Sequence, residues 1–149
     1  MNVIGIVGWK NSGKTTLAAA LIRELSSRGL TVNSIKHAHH GVDVDQPGTD
    51  SYKHRDAGAR EVILAGGRRF AIMHELRGAE EPTLDELLAR LGPCDWVVVE
   101  GFKTHLHPKI EVHRQESARA PLYPEDDSII ALVADYVADC SADFPGPVF

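Results

Sequence analysis

The stretch Gly8-Trp9-Lys10-Asn11-Ser12-Gly13-Lys14-Thr15 constrains this chain more than any other. It fits G-x-x-x-x-G-K-[ST] at every fixed position, and Thr16 follows. Its flanks supply the context that such a motif needs. Residues 2–8 form a short apolar run bounded by glycine, which predicts a buried strand. After Lys14, the residues Leu17, Leu21, Ile22 and Leu25 recur at helical spacing. Strand, glycine-rich loop and helix in that order make a phosphate site. Gly8 and Gly13 can take backbone angles closed to other residues, so successive N–H groups from Asn11 and Ser12 onward can turn inward. The helix N-terminus adds donors and a partial positive charge. Lys14 would reach the β/γ-phosphates and the Thr15 hydroxyl would bind Mg²⁺. Thr16 either adds a phosphate contact or simply sits in the first helical turn.

The rest of the chain supports an α/β reading. Arg28-Gly29 closes the helix, and residues 31–36 form a second strand, which implies parallel pairing with a right-handed crossover. Residues 37–50 are a polar loop at a strand's carboxyl end, where open α/β sheets bind ligands. A short helix is expected over 49–58, capped by Thr49 or Asp50, followed by strands over 61–65 and 69–73. Thr83 and Glu86 have capping-box spacing ahead of a helix with a Leu84, Leu87, Leu88 and Leu91 stripe. Residues 95–102 are the clearest central strand, since continuous valine suits a sheet covered on both faces. Strands over 109–113 and 129–133 follow, and the end from Phe144 reads as an irregular tail. The expected fold is a P-loop NTPase-type three-layer α/β fold with a mostly parallel sheet and additional strands, in one domain spanning 1–149.

A phosphate loop needs an acidic partner that orients Mg²⁺ or water. Glu100 fits, because it ends Val97-Val98-Val99 at the carboxyl end of its strand. Asp95 sits at the other end, roughly 16 Å away at about 3.3 Å per residue. Lys14 and Glu100 are therefore the candidate catalytic residues. Gly8, Asn11, Ser12, Gly13, Lys14, Thr15 and Thr16 are the nucleotide-binding candidates. Thr15, Glu100 and Asp45 are the metal candidates, with Asp43 and Asp50 in the same loop. Lys36, Lys103, Arg55, Arg60 and Arg114 could meet an anionic ligand or remain solvated. His37, His39 and His40 cluster, and His105 and His107 pair, as either a transition-metal site or polar loops.

Of 149 residues, 43% are hydrophobic and 25% charged, ordinary for a globular protein. A net charge of −5 argues against broad nucleic-acid binding. No run reaches the length of a membrane span. The first residues read as strand and already carry the motif, so no signal peptide and a cytoplasmic location are expected. Cys94 and Cys140 show neither C-x-x-C nor zinc spacing.

With these residues placed, the chain resembles the MobB family, molybdopterin-guanine dinucleotide biosynthesis protein B. The likeness runs from Gly8 to Thr16, through Lys36-His37-Ala38-His39-His40, Asp45-Gln46-Pro47-Gly48-Thr49-Asp50-Ser51 and Arg55-Asp56-Ala57-Gly58-Ala59. It continues through Val99-Glu100-Gly101-Phe102-Lys103 and Pro108-Lys109-Ile110-Glu111-Val112, in the family's order, over roughly residues 2–135. The resemblance implies a dimeric, GTP-binding accessory protein with weak Mg²⁺-dependent GTPase activity. It would assist a MobA-type guanylyltransferase that joins GMP to molybdopterin, with the pterin itself a further candidate ligand. Guanine preference rests on the resemblance, since no N-K-x-D motif is present. The alternatives are a small P-loop metabolite kinase, which would need an arginine-rich lid not evident here, and a metal-delivery GTPase using His37, His39 and His40.

Overall fold

The computed structural model describes residues 1–38, 43–117, 119–136 and 144–149. The chain forms two compact units: Met1–Ala38 with Leu84–Phe149, and His39–Thr83.

The first unit is built on a five-stranded sheet. Its strands are β1 (Asn2–Gly8), β2 (Val32–Lys36), β5 (Trp96–Glu100), β6 (Lys109–His113) and β7 (Ile129–Ala134), in spatial order β2-β5-β1-β6-β7. Every pairing is parallel. Alternation along the strands assigns the two faces. Ile4, Ile6, Val98 and Val112 point to one side. There Leu17, Leu21, Ile22 and Leu25 of helix α1 (Lys14–Ser27) cover them, as the helical spacing predicted. Val97 and Val99 point to the other side and pack with Leu84 and Leu88 of helix α3 (Leu84–Leu88) and with Ile35, Leu91 and Cys94. These three layers confirm the expected α/β architecture.

One face of β6 departs from the apolar rule. Lys109, Glu111 and His113 share it by strand parity and are 1%, 0% and 6% exposed. Buried polar groups need partners, and the β6–β7 connection supplies them, with Tyr136 beyond β7 adding one more. The Lys109 ammonium donates to Asp126 (2.8 Å) and Ser128 (2.6 Å). The Glu111 carboxylate accepts from Leu122 N (2.8 Å) and Tyr123 N (3.0 Å). His113 bonds Tyr136 Oη and the Arg119 carbonyl. Among its described residues the connection holds one 3₁₀ turn, Tyr123–Glu125, and this ladder of polar bonds does the work that an apolar helix stripe does elsewhere.

The end from Phe144 to Pro147 is irregular, as expected, but it is packed against the sheet. Among the last residues, Val148 bridges Leu132. Leu132 N donates to Pro147 O, Phe149 N to Leu132 O and Ala134 N to Phe149 O. Phe144 is buried with Val7, Ile129 and Leu132. The physical reason is that β7 is an edge strand, whose free N–H and C=O groups take any extended segment within reach.

The second unit holds α2 (Asp50–Asp56), capped by Thr49, whose hydroxyl accepts from Tyr52 N. It also holds the antiparallel pair β3 (Glu61–Ala65) and β4 (Phe70–His74). Strand parity puts the buried Val62 and Met73 on one face with the exposed Leu64, and Ile63, Phe70 and Ile72 on the other, 60%, 69% and 53% accessible. No helix among the described residues is long and apolar enough to cross a membrane.

Candidate functional site

The phosphate loop sits between β1 and α1, at the carboxyl edge of the sheet. Its conformation uses positive φ at Gly8 (143°), Asn11 (63°) and Gly13 (102°). Asparagine is one of the few side chains that tolerates this region. A Cβ on Gly8 would lie 2.3 Å from the Val112 carbonyl oxygen, so the loop's first glycine is also fixed by close packing on β6. Gly13 caps α1 with no side-chain hydrogen bond, and the helix's first turn carries no acid. The first helical N–H groups are thus offered to an external anion. Ser12 is buried and its N–H turns to the Trp9 carbonyl (3.2 Å). Arg114, which sequence reasoning held open as an anion contact, supports the loop from below, its Nε donating to Ser12 O at 3.1 Å.

Lys14 donates to the Trp9 carbonyl at 2.6 Å. Burial lowers its pKa, Glu100 pulls it back and Lys36 adds to the lowering. Thr15 and Thr16 lie exposed in the first turn of α1.

Strand register brings the acid to the loop. Glu100 has the parity of Val98, the α1-facing side, and pairs with Ile6 of β1 and Lys36 of β2. Its Oε1 accepts the Thr15 hydroxyl at 2.8 Å. The Lys36 ammonium lies 3.2 Å from both the Glu100 and Thr15 oxygens. Two hard oxygens thus already hold one positive charge. That donor pair suits a hard divalent cation such as Mg²⁺, which keeps waters and phosphate oxygens for its remaining positions. Directly after Glu100, Gly101 (φ 106°) and Phe102 (φ 50°) both take left-handed backbone. A Cβ on Gly101 would meet His37 Cβ at 2.8 Å, and the His37 ring stacks on Phe102 at 4.6 Å. Asp95 is engaged at the opposite end of β5, accepting from Thr31 N and Oγ1.

The aspartates of the polar loop belong to the second unit. Asp45 Oδ1 accepts from Thr49 Oγ1 (2.8 Å), Ser51 Oγ (3.0 Å) and Gln46 N (3.1 Å), and Oδ2 faces Arg55 Nε at 3.6 Å. Burial would raise the Asp45 pKa, but these hydrogen bonds and the Arg55 charge bring it below its ordinary value. Arg55 forks onto Asp43 at 3.0 and 2.9 Å, and Asp50 pairs with Lys53. These contacts shape the approach to α2.

His39, His40 and Cys140 lie outside the described residues. The Nδ1 atoms of His105 and His107 are 3.2 Å apart. Burial, then Lys109 and His105, hold the His107 pKa below its usual value. Among the described residues no group of three or more His, Cys, Asp or Glu is placed to hold a metal ion.

Sequence reasoning missed Arg119. It lies on the β6–β7 connection, where no periodicity marks it, yet its Cζ sits 4.5 Å from the centroid of the Trp9 ring. Lys103, named only as a possible anion contact, places Nζ 4.1 Å from the same ring.

Comparison with known proteins gives one consistent answer. A family model for molybdopterin guanine dinucleotide synthesis protein B, MobB, matches residues 3–135. The molybdopterin-guanine dinucleotide biosynthesis adapter protein of Haemophilus influenzae is 43% identical over 136 residues, 90% of this chain and 75% of its own length. The Escherichia coli K12 protein of that name is 39% identical over 136 residues, 89% of this chain and 78% of its own. The crystal structure of a MobB homolog from Bacillus stearothermophilus matches with a TM-score of 0.70 at 27% identity, over 100% of this chain and 87% of that one. Bacillus subtilis MobB, at 24% identity and a TM-score of 0.76 over 100% of this chain and 89% of that one, shares the fold.

Proposed function

The chain belongs to the MobB family, and from that premise we propose that it is a GTP-binding adapter of molybdopterin-guanine dinucleotide biosynthesis. It would act beside a MobA-type guanylyltransferase and hydrolyse GTP slowly. The observation that carries the nucleotide part is the meeting of Thr15, Glu100 and Lys36 at the uncapped N-terminus of α1.

The chemistry follows from these groups. Loop N–H groups and the α1 terminus bind phosphate oxygens, and Lys14 exchanges the Trp9 carbonyl for the β/γ-phosphates. Thr15 and Glu100 would hold Mg²⁺, whose charge neutralises the phosphates. Lys36, which now holds that oxygen pair, would yield it to a bound divalent ion. Glu100 is engaged by Thr15 and Lys36, and hydrolysis without a partner is slow. Positioning and electrostatics are the whole of the catalytic contribution.

Calorimetry with GTP, ATP and molybdopterin, with and without Mg²⁺, tests this reading. Lys14→Ala should abolish GTP binding, and Thr15→Ala should mainly remove its Mg²⁺ dependence. Wild-type GTP affinity in Lys14→Ala, or rapid GTP hydrolysis by the protein alone, would refute it.

Self-association completes the proposal. The β3–β4 pair presents Ile63, Phe70 and Ile72 together on one exposed face. Three large apolar side chains on one sheet face are a surface that a second copy can cover. Light scattering should show a dimer that Ile72→Lys disrupts. A dimer unchanged by that substitution would move the interface elsewhere.

A further inference from the structure

Trp9, the second residue of the phosphate loop, gathers three cations. Its carbonyl accepts the Lys14 ammonium at 2.6 Å, while Lys103 Nζ and Arg119 Cζ lie 4.1 and 4.5 Å from its ring centroid. Among the described residues none of the three has a carboxylate within ion-pair distance. We propose that Lys103 and Arg119 bind the terminal phosphate of the nucleoside triphosphate, so that this site tells a triphosphate from a diphosphate. The inference rests on the nucleotide reading above and adds two ligand residues and a specificity to it.

Place in the loop identifies which phosphate. Lys14 is the lysine that such loops direct at the β/γ-phosphates, and the residue it rests on is Trp9. Cations gathered on Trp9 therefore stand at the terminal-phosphate end of the loop. Arg114, by contrast, is tied to the Ser12 carbonyl and supports the loop's shape.

The backbones carrying these cations are fixed. Lys103 is three residues past Glu100, behind the left-handed pair Gly101 and Phe102. Arg119 has its own carbonyl bonded to His113 Nε2 at 3.0 Å, and two further anchors follow it in sequence. The Trp9 indole N–H donates to Ala120 O at 2.8 Å, and Glu111 holds Leu122 and Tyr123. Only the side-chain heads need to move. An aromatic face holds a cation more weakly than a phosphate oxygen does, so transfer to an arriving phosphate is favourable.

Electrostatics agree. Burial lowers the Lys103 pKa, and the neighbouring Lys14 and Arg119 charges lower it further against the opposing pull of Glu111. Like charges held together in a part-buried place form a cluster that an anion completes.

The test measures GTP and GDP affinities by calorimetry at fixed Mg²⁺. The proteins are the wild type, Lys103→Met, Arg119→Met and the double variant. Methionine keeps much of the aliphatic stem against the Trp9 ring, and circular dichroism checks that each variant folds. Each substitution should weaken GTP about tenfold or more, the usual effect of losing a charge-assisted contact, and GDP by less than about threefold. Equal losses for both nucleotides would reduce the two cations to general electrostatics and overturn the proposal. Unchanged affinities would reduce them to ring packing and overturn it equally. A wild-type protein that binds neither nucleotide would sink the nucleotide reading itself, and this inference with it.

Discussion

Glu111→Ala should destabilise the first unit by about 2–4 kcal/mol and release the segment that carries Arg119. Glu111 is fully buried, and its two oxygens accept the Leu122 and Tyr123 amides at 2.8 and 3.0 Å. Alanine leaves both amides buried without an acceptor, at about 1–3 kcal/mol each. Removing a buried carboxylate offsets part of that loss, because its desolvation no longer has to be met. With some relaxation of the connection, the net stays near the middle of the range. For a chain of this size about 2–4 kcal/mol lowers the melting temperature by roughly 5–15 °C. Glu111→Gln keeps the shape and one acceptor but turns an NH₂ toward a donor, so its cost should be smaller than alanine's. Urea titration at constant m-value reads the stability. Hydrogen exchange at Leu122 and Tyr123 reads the local release. A midpoint shift worth less than about 0.5 kcal/mol, with both amides still protected, would show that the polar ladder on β6 does not hold the connection.

Three further outcomes follow from the structure. In Gly5→Ala the new Cβ would sit 2.4 Å from His107 Nε2 and 3.0 Å from Lys109 Cγ, so overpacking should cost about 1–3 kcal/mol, read from thermal unfolding; a neutral substitution would show that His107 is free to move. Lys36→Met removes the cation that competes for the Thr15–Glu100 oxygens, so Mg²⁺ should bind more tightly, by less than about tenfold because Lys36 is exposed; weaker Mg²⁺ binding would overturn the competition. Stability should fall in two steps on acidification. His107 has a folded pKa below its ordinary 6.5, so its contribution is present above that value and lost as pH falls through the lower folded one. Burial would raise Asp126, but bonds from Lys109 and Ser128 outweigh it and lower it below 3.8, so its contribution is lost at still lower pH. A urea midpoint that is flat from pH 7 to pH 3 would contradict both signs.

Much of this was legible in the sequence where a residue's role follows from local pattern. The loop, α1, α2 and the strands lie within one or two residues of where spacing put them. Glu100 could be picked over Asp95 from its end of the strand, and β5 register then brought it to Thr15. What pattern did not reveal depends on neighbours distant in sequence. Glu111 sits in a strand of alternating charge that reads as half exposed; only the cover given by residues 119–128 makes it a buried acceptor. Trp9 reads as an arbitrary position of the motif until two loops from elsewhere lay cations on its ring. The C-terminal residues look irregular because a single bridge to an edge strand has no periodicity of its own.

The strand order also dictates when this protein can become itself. β1 is made before both of its partners, β5, whose Trp96 pairs with Asn2, and β6, whose Val112 pairs with Gly8. A ribosome must therefore add about a hundred residues after β1 before that strand has both neighbours. The β3–β4 pair, by contrast, closes across a short turn and can form during synthesis. The phosphate loop is thus made well before the strands that give it shape. Until then its apolar flank remains open to chaperones and to misassembly.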